Sequence, residues 1–195
     1  MKVIGLTGGI ASGKSTASAY LRELGAVIVD ADAISRASTR RGGAAFEAVC
    51  AAFGDILGAD GEIDRRKLGG IVFADEDARR KLNSIVHPAV MAESRAQIEN
   101  ARASGVKMCI LDVPLLFETG MEKLCDETWL IYVPREEQIR RMAERDGLDA
   151  AAAAARIDSQ MPLEEKLKRA DVAIDSSGTI EQTREKLRRL WEERT

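Results

Sequence analysis

The sequence predicts an α/β protein: a doubly wound, five-stranded parallel sheet with two helical excursions. Three observations lead there. Short apolar runs recur at 2–7, 26–30, 106–113, 128–133 and 171–175, brief and unalternating as strands buried on both faces are. The first two are separated by one helix-like segment, which is the plan of a βαβ unit and makes the strands parallel. Two further stretches, about 31–104 and about 136–170, carry helical periodicity without strand character. The core is therefore expected in 1–30, 105–135 and 171–195, with the two helical segments inserted into it.

Each element has its own signals. Lys2 to Thr7 is apolar and ends at Gly8-Gly9. Lys14 to about Leu24 reads as helix, with Gly25 as its stop. Ala26-Val27-Ile28-Val29 is the second strand, ending at Asp30. Beyond it, Gly42-Gly43 and Gly58-Ala59-Asp60-Gly61 mark loops, and Ile63-Asp64 leads into a helix. Ile85-Val86 and the segment from Pro88 to about Ala103 make another, with Pro88 near a first turn, where the missing N–H costs no hydrogen bond. Val106 to Val113 and Thr128 to Val133 return to strand character, the latter ended by Pro134. Glu136 to Glu144 is helical. The six alanines from Ala150 to Ala155 favour helix by propensity, and Pro162 separates them from a helix over Leu163 to about Arg169. Asp171 to Asp175 is the last strand, and Ile180 to Glu193 a closing amphipathic helix.

Composition narrows the class. The 195 residues suit one globular core with small lobes, and a formal net charge of −3 lacks the basic footprint of a nucleic-acid binder. No stretch reaches the ~18 apolar residues of a membrane span. The chain opens directly into a strand-like run, so no secretion signal is expected. Cys50, Cys109 and Cys125 are far apart and odd in number, which implies neither a zinc site nor a disulfide framework and fits a reducing cytoplasm. Nothing implies an obligate protein partner.

Chemistry concentrates at the ends of the strands. Gly8-Gly9-Ile10-Ala11-Ser12-Gly13-Lys14-Ser15 spells G-x-x-x-x-G-K-[ST] between a buried strand and a helix, the context a phosphate-binding loop requires. Glycines let successive N–H groups turn inward onto phosphate oxygens, the helix N-terminus adds its dipole, Lys14 reaches the β- and γ-phosphates, and Ser15 offers a hydroxyl to Mg²⁺. Met108-Cys109-Ile110-Leu111-Asp112 is an apolar strand ending in a carboxylate, a second candidate for the metal or its water shell; the alternative is a structural ion pair. Asp30-Ala31-Asp32 follows the second strand. Read as extended chain, its two carboxylates point the same way at the carboxyl edge of the sheet, where one could take a proton from an attacking hydroxyl; alternatively one caps the next helix. In the second helical segment Arg140, Arg141, Arg145 and Arg156 could close over a transferring phosphoryl group, or form a solvated face with Glu137 and Glu144.

Thr7 through Thr16, Asp30-Ala31-Asp32, Ile85-Val86-His87-Pro88, Asp112-Val113-Pro114-Leu115-Leu116-Phe117-Glu118, Gln138 through Gly147, Gln160-Met161-Pro162 and Val172 to Gly178 together resemble the dephospho-CoA kinase family over nearly the whole chain. The phosphate loop is shared with many NTPases; its combination with D-A-D, H-P and P-L-L-F-E in this order is far more specific. The resemblance implies a P-loop NTPase-type core that phosphorylates the ribose 3′-hydroxyl of dephospho-CoA with ATP and Mg²⁺, the last step of coenzyme A synthesis. It makes 31–104 an acceptor-binding insertion and 136–170 a lid. It gives catalytic roles to Lys14, Arg141, Arg145 and Asp32, the last as general base. ATP contacts fall to Gly8, Gly9, Ala11, Ser12, Gly13, Lys14, Ser15 and Thr16, metal contacts to Ser15 and Asp112. Acceptor contacts or their support fall to Asp30, Asp32, His87, Pro88, Phe117 and Glu118. Phe117 could equally be core, and a lone histidine is more often structural than catalytic.

One position departs from the family. Where it usually reads I-D-N-x-G after the last strand, this chain has Ile174-Asp175-Ser176-Ser177-Gly178, which puts an adenine contact at 176 in doubt. Three other readings remain open. A P-loop kinase for a nucleoside monophosphate or small alcohol shares the loop and lid. A GTPase has Asp55-Ile56-Leu57-Gly58 in its favour, but no N-K-x-D, since Asn83 and Asn100 are the only asparagines. A non-catalytic ATP- or CoA-binding module is the third.

Overall fold

The computed structural model describes residues 1–195. Five strands, β1 (Lys2–Gly8), β2 (Val27–Asp30), β3 (Met108–Asp112), β4 (Glu127–Tyr132) and β5 (Val172–Asp175), form one sheet in the order β2-β3-β1-β4-β5. The β1–β3, β1–β4 and β4–β5 ladders are parallel, with Leu6 level with Asp112 on one side and with Trp129 on the other. Nine helices intervene: α1 (Lys14–Glu23), α2 (Ala31–Ser38), α3 (Phe46–Phe53), α4 (Arg65–Ala74), α5 (Glu76–Ala103), α6 (Arg135–Asp146), α7 (Ala150–Asp158), α8 (Leu163–Arg169) and α9 (Ile180–Glu192). This is the doubly wound five-stranded parallel sheet that the apolar runs predicted.

The chain divides into two compact units, Met1–Val29 with Ile98–Thr195, and Asp30–Gln97. In the first, alternate strand residues Ile4, Leu6, Met108, Ile110, Trp129 and Ile131 face α1 and α9, burying against Ala17, Leu21 and Leu187. Each such aliphatic side chain contributes roughly 1.5–3 kcal/mol. Trp129 keeps its indole N–H satisfied by Glu127 Oε1 at 2.9 Å, and Arg194 pairs with the same carboxylate from above the ring. After β1 the chain crosses to one edge of the sheet; after β3 it crosses back over β1 to β4. That divergence leaves a crevice at the carboxyl ends of β1 and β3, where ligands of open α/β sheets bind.

The second unit is helical. Ile34, Phe46, Val49, Ile56, Leu68 and Val72 form its interior. Asp64 caps α4 by accepting from the Arg66 and Lys67 amides, and these bonds hold its carboxyl below the usual range. Lys81 donates to the Ala52 carbonyl at the end of α3.

The boundaries move by one or two residues, as fraying ends do: β3 is shorter than 106–113, and β4 runs 127–132 rather than 128–133. Two expectations need correction. The first concerns Pro88, which does not start a helix but lies inside α5. The carbonyl of Ser84, deprived of its partner there, sits on an exposed turn that water reaches, so the helix continues through. The second concerns Asp30 and Asp32, which are not two apart on extended chain. Asp30 ends β2 and caps α2, accepting from Ala33 N at 2.9 Å, and Asp32 already lies in the first helical turn. Capping at once satisfies an orphan helix donor, so the chain turns helical one residue after the strand ends.

A candidate active site built on a phosphate loop

The loop after β1 has the geometry that its glycines predict. Ala11 has φ 58° and Gly13 φ 88°, and this left-handed backbone turns consecutive amides to one side. Gly13 is the N-cap of α1 and supplies no side-chain acceptor, so the first amides of the helix remain for an anion. A Cβ on Gly9 would come within 2.5 Å of Gln138 Nε2, which excludes any larger residue while Gln138 stays in place.

The outward side of this loop is pinned. Gln138 Nε2 donates to the Ile10 carbonyl at 2.8 Å, Arg141 Nη1 reaches the Ala11 carbonyl at 3.4 Å, and the buried Ser176 hydroxyl donates to the Ser12 carbonyl. Three consecutive carbonyls are thus taken by side chains of α6 and of the β5–α9 loop. Arg141 also donates to the Ser176 carbonyl at 2.8 Å and to Glu137 at 2.7 Å. Arg140 and then Arg141 hold the Glu137 carboxyl down at about 2. Ser176 therefore braces the loop. Ser12 Oγ is buried with no partner inside the chain, and the Ser15 and Thr16 side chains are exposed.

Lys14 forms an ion pair with Asp112, so the ends of β1 and β3 place a cation beside the strand-end carboxylate. Behind Asp112, the Pro114 carbonyl accepts from Thr7 Oγ1 at 3.0 Å and from Lys166 Nζ at 3.1 Å. Lys166 is 2% exposed and also pairs with Glu118 at 2.9 Å, while Glu118 accepts from the Met161 amide at 3.1 Å. Phe117 is buried under the Arg169 guanidinium, 4.7 Å from its ring centre. Both Phe117 and Glu118 are thus tied into the 113–118 loop and α8. A cavity of about 360 Å³ opens beside Gly9, lined also by Tyr132, Gln138, Met161 and Lys166.

The remaining arginines are distributed unequally. Arg140 is held by Glu137 and Glu144, and Arg145 by Asp146 at 2.8 Å, with Arg156 4.0 Å from the same carboxylate. Arg135 forks onto Asp158 at 2.7 and 3.0 Å, joining α6 to α7. Of the arginines in this segment, Arg141 is the one bound to the phosphate loop. In the helical unit, His87 and Pro88 lie on an exposed turn of α5. Part of the His87 ring is nevertheless covered, and the lost water lowers its pKa, leaving it neutral at pH 7.

With this geometry in hand, the comparisons are decisive. The family model for dephospho-CoA kinase matches residues 2–182. The chain belongs to the dephospho-CoA kinase family. A dephospho-CoA kinase from Carboxydothermus hydrogenoformans is 53% identical over 188 residues, covering 96% of this chain and 91% of that one. Among solved structures, the Thermus thermophilus protein TT1252 is 35% identical with a TM-score of 0.84, covering 100% of this chain and 98% of that one. Dephospho-CoA kinase from Campylobacter jejuni is 30% identical with a TM-score of 0.69, covering 100% and 97%. The enzyme class and the fold thus rest on both sequence and structure.

Three functional side chains escaped the sequence. Gln138 and Lys166 sit in helices whose periodicity says nothing about what they reach. Ser176 stood out only as a departure from a pattern. No spacing rule links residue 138 to 10 or 176 to 12; only the folded chain does.

Proposed function

We propose that this chain transfers the γ-phosphoryl group of ATP to the ribose 3′-hydroxyl of dephospho-CoA, giving coenzyme A and ADP, as the last step of coenzyme A synthesis in the cytoplasm. The observation that carries the reading is the phosphate loop with inward amides, followed by Lys14 beside Asp112, in a chain of this family. No helix of the chain is long and apolar enough to cross a membrane.

The loop amides from Gly9 to Thr16, with the Gly8 turn before them, cradle the ATP phosphates. Lys14 leaves Asp112 for the β- and γ-oxygens and follows the charge as it spreads in the transition state. Ser15 and Asp112 fit Mg²⁺, since a hydroxyl and a carboxylate are hard oxygen donors. A Mg²⁺ ion held there would neutralise phosphate charge during transfer. Arg141 and Arg145, on the lid formed by α6 to α8, screen the transferring group, Arg145 after exchanging Asp146 for phosphate. Asp32 takes the proton of the attacking 3′-hydroxyl. Asp30 holds the turn that presents Asp32. His87-Pro88 lines the acceptor, and Phe117-Glu118 supports its site. Residues 31–104 form the acceptor lobe, and 1–30, 105–135 and 171–195 form the core.

The test is ADP release with ATP and Mg²⁺, with and without dephospho-CoA, alongside AMP, adenosine and shikimate. Stimulation by dephospho-CoA with a 3′-phosphorylated product is expected; another acceptor winning would overturn the assignment. Asp32→Asn should keep the KM for ATP while turnover falls about 10²–10⁴-fold. Near-normal turnover in that variant removes Asp32 from the role of base.

A further inference from the structure

Only two charged residues of the chain are buried: Asp112, 8% exposed, and Lys166, 2% exposed. Taking a charge out of water is costly unless it is paired, and an apolar side chain in its place is often no less stable. The phosphoryl-transfer reading gives Asp112 a task and leaves Lys166 without one. Yet both bear on the same turn of chain. Asp112 ends β3, and the Lys166 ammonium donates to the Pro114 carbonyl, two residues further on, at 3.1 Å.

That turn lies where the sheet stops directing the backbone. Up to Asp112 the strand is set by its pairing with β1, and Val113 N still donates to the Leu6 carbonyl at 3.0 Å. Pro114 has no N–H, so it cannot extend the ladder. Its carbonyl is instead held by two side chains: by Thr7, fully buried at the end of β1, at 3.0 Å, and by Lys166. Thr7 directly precedes the phosphate loop, so one carbonyl joins that loop, the Asp112 turn and α8. Lys166 and Arg169, three apart on one face of α8, both grip the 113–118 loop. Lys166 pairs with Glu118 at 2.9 Å, and Arg169 lies over the Phe117 ring and reaches the Phe117 carbonyl at 3.5 Å. Glu118 in turn accepts from the Met161 amide, just before α8, at 3.1 Å.

We propose that Lys166 is a positioning residue for the metal site: through the Pro114 carbonyl it sets where the Asp112 carboxylate stands relative to Lys14 and Ser15. This rests on the reading of Asp112 as a metal-facing group. The Lys166 ammonium is engaged by Pro114 and Glu118, so it acts through Asp112 and not on phosphate. A carboxylate binds a small, geometrically demanding cation only as well as it is aimed, and the groups that orient a ligand tune the affinity of its site. Thr7 fixes the same carbonyl from the phosphate-loop side, so its hydroxyl shares the task.

The experiment measures binding of the non-hydrolysable ATP analogue AMP-PNP by calorimetry, once with Mn²⁺ and once in EDTA, on the full chain and its variants. The ratio of the two Kd values reports how strongly metal and nucleotide support each other. Lys166→Met and Thr7→Val should each shrink that ratio about 3- to 10-fold, the effect of one lost hydrogen bond. The Kd in EDTA should stay within about twofold, which also reports that each variant is folded. Asp112→Asn should shrink the ratio by itself, and adding Lys166→Met to it should change the ratio less than twofold, because the carboxylate through which Lys166 acts is already gone. Equal weakening with Mn²⁺ and in EDTA would make Lys166 a structural residue only and overturn the proposal, as would a full further loss in the double variant. An unchanged ratio in Lys166→Met, with a loss in Asp112→Asn, overturns the positioning role alone. An unchanged ratio in Asp112→Asn overturns the metal-facing reading of Asp112 and the positioning role together.

Discussion

Three adjacent carbonyls, those of Ile10, Ala11 and Ser12, are held outward by Gln138, Arg141 and Ser176, and what holds the carbonyls out turns the amides in. A hydrogen bond of this kind contributes about 0.5–1.5 kcal/mol net, so Ser176→Ala should raise the KM for ATP about 2- to 10-fold. The KM for dephospho-CoA should not change, since no acceptor contact is lost; equal rises in both would mean a general loosening instead. Reactivity at the cysteines follows from burial. Burial raises the Cys109 thiol to about 11; burial first, then the Asp126 and Glu122 charges, raises Cys125 to about 12. Because the thiolate is the nucleophile, neither should be alkylated by iodoacetamide at pH 8 in the native chain, and both should react in urea, as peptide mass spectrometry will show.

At the scale of elements, Lys166 is the strut between α8 and the 113–118 loop. Its ammonium is buried against the Pro114 carbonyl and Glu118. Lys166→Met leaves Glu118 with the Met161 amide and solvent and leaves the Pro114 carbonyl one donor short, so a loss of about 1–2 kcal/mol is expected, read as a lower urea midpoint. Lys166→Arg should recover part of it. An unchanged midpoint for Lys166→Met would show that the pair only breaks even with apolar packing. The same distinction explains Pro88: local rules place a proline at a helix start, but α5 is stabilised along its length by packing of Val86, Val90 and Ile98, which outweighs one missing bond.

For the whole molecule, acid sensitivity follows from the ion pairs of α6 and α7. Glu137 is held at about 2 against an ordinary 4.5, and Arg145 and Arg135 likewise lower Asp146 and Asp158. A depressed folded pKa stabilises fully above the unfolded value and loses that contribution as pH falls through the folded one. The Glu137 contribution should therefore be constant above about pH 5 and decline between about 4.5 and 2. Circular dichroism melts across that window should show Tm falling less steeply in Glu137→Gln than in the parent; identical slopes would remove Glu137 from the acid transition. These pairs are exposed, so each contributes little on its own and salt should weaken them.

The sequence by itself determined the sheet, the phosphate loop and the family, because each is written in local pattern. Buried parallel strands need short apolar runs, and an inward-turned loop needs glycine at fixed spacing. The tertiary structure alone decided which groups meet across distance: Gln138 with Ile10, Ser176 with Ser12, and Lys166 with Glu118. It also turned Asp30 into a cap and carried α5 through Pro88. The physical reason is one of range. Backbone propensity and periodicity act over a few residues and are visible in any stretch of chain, whereas a hydrogen bond between residues 164 positions apart exists only once the sheet has brought their loops to the same edge.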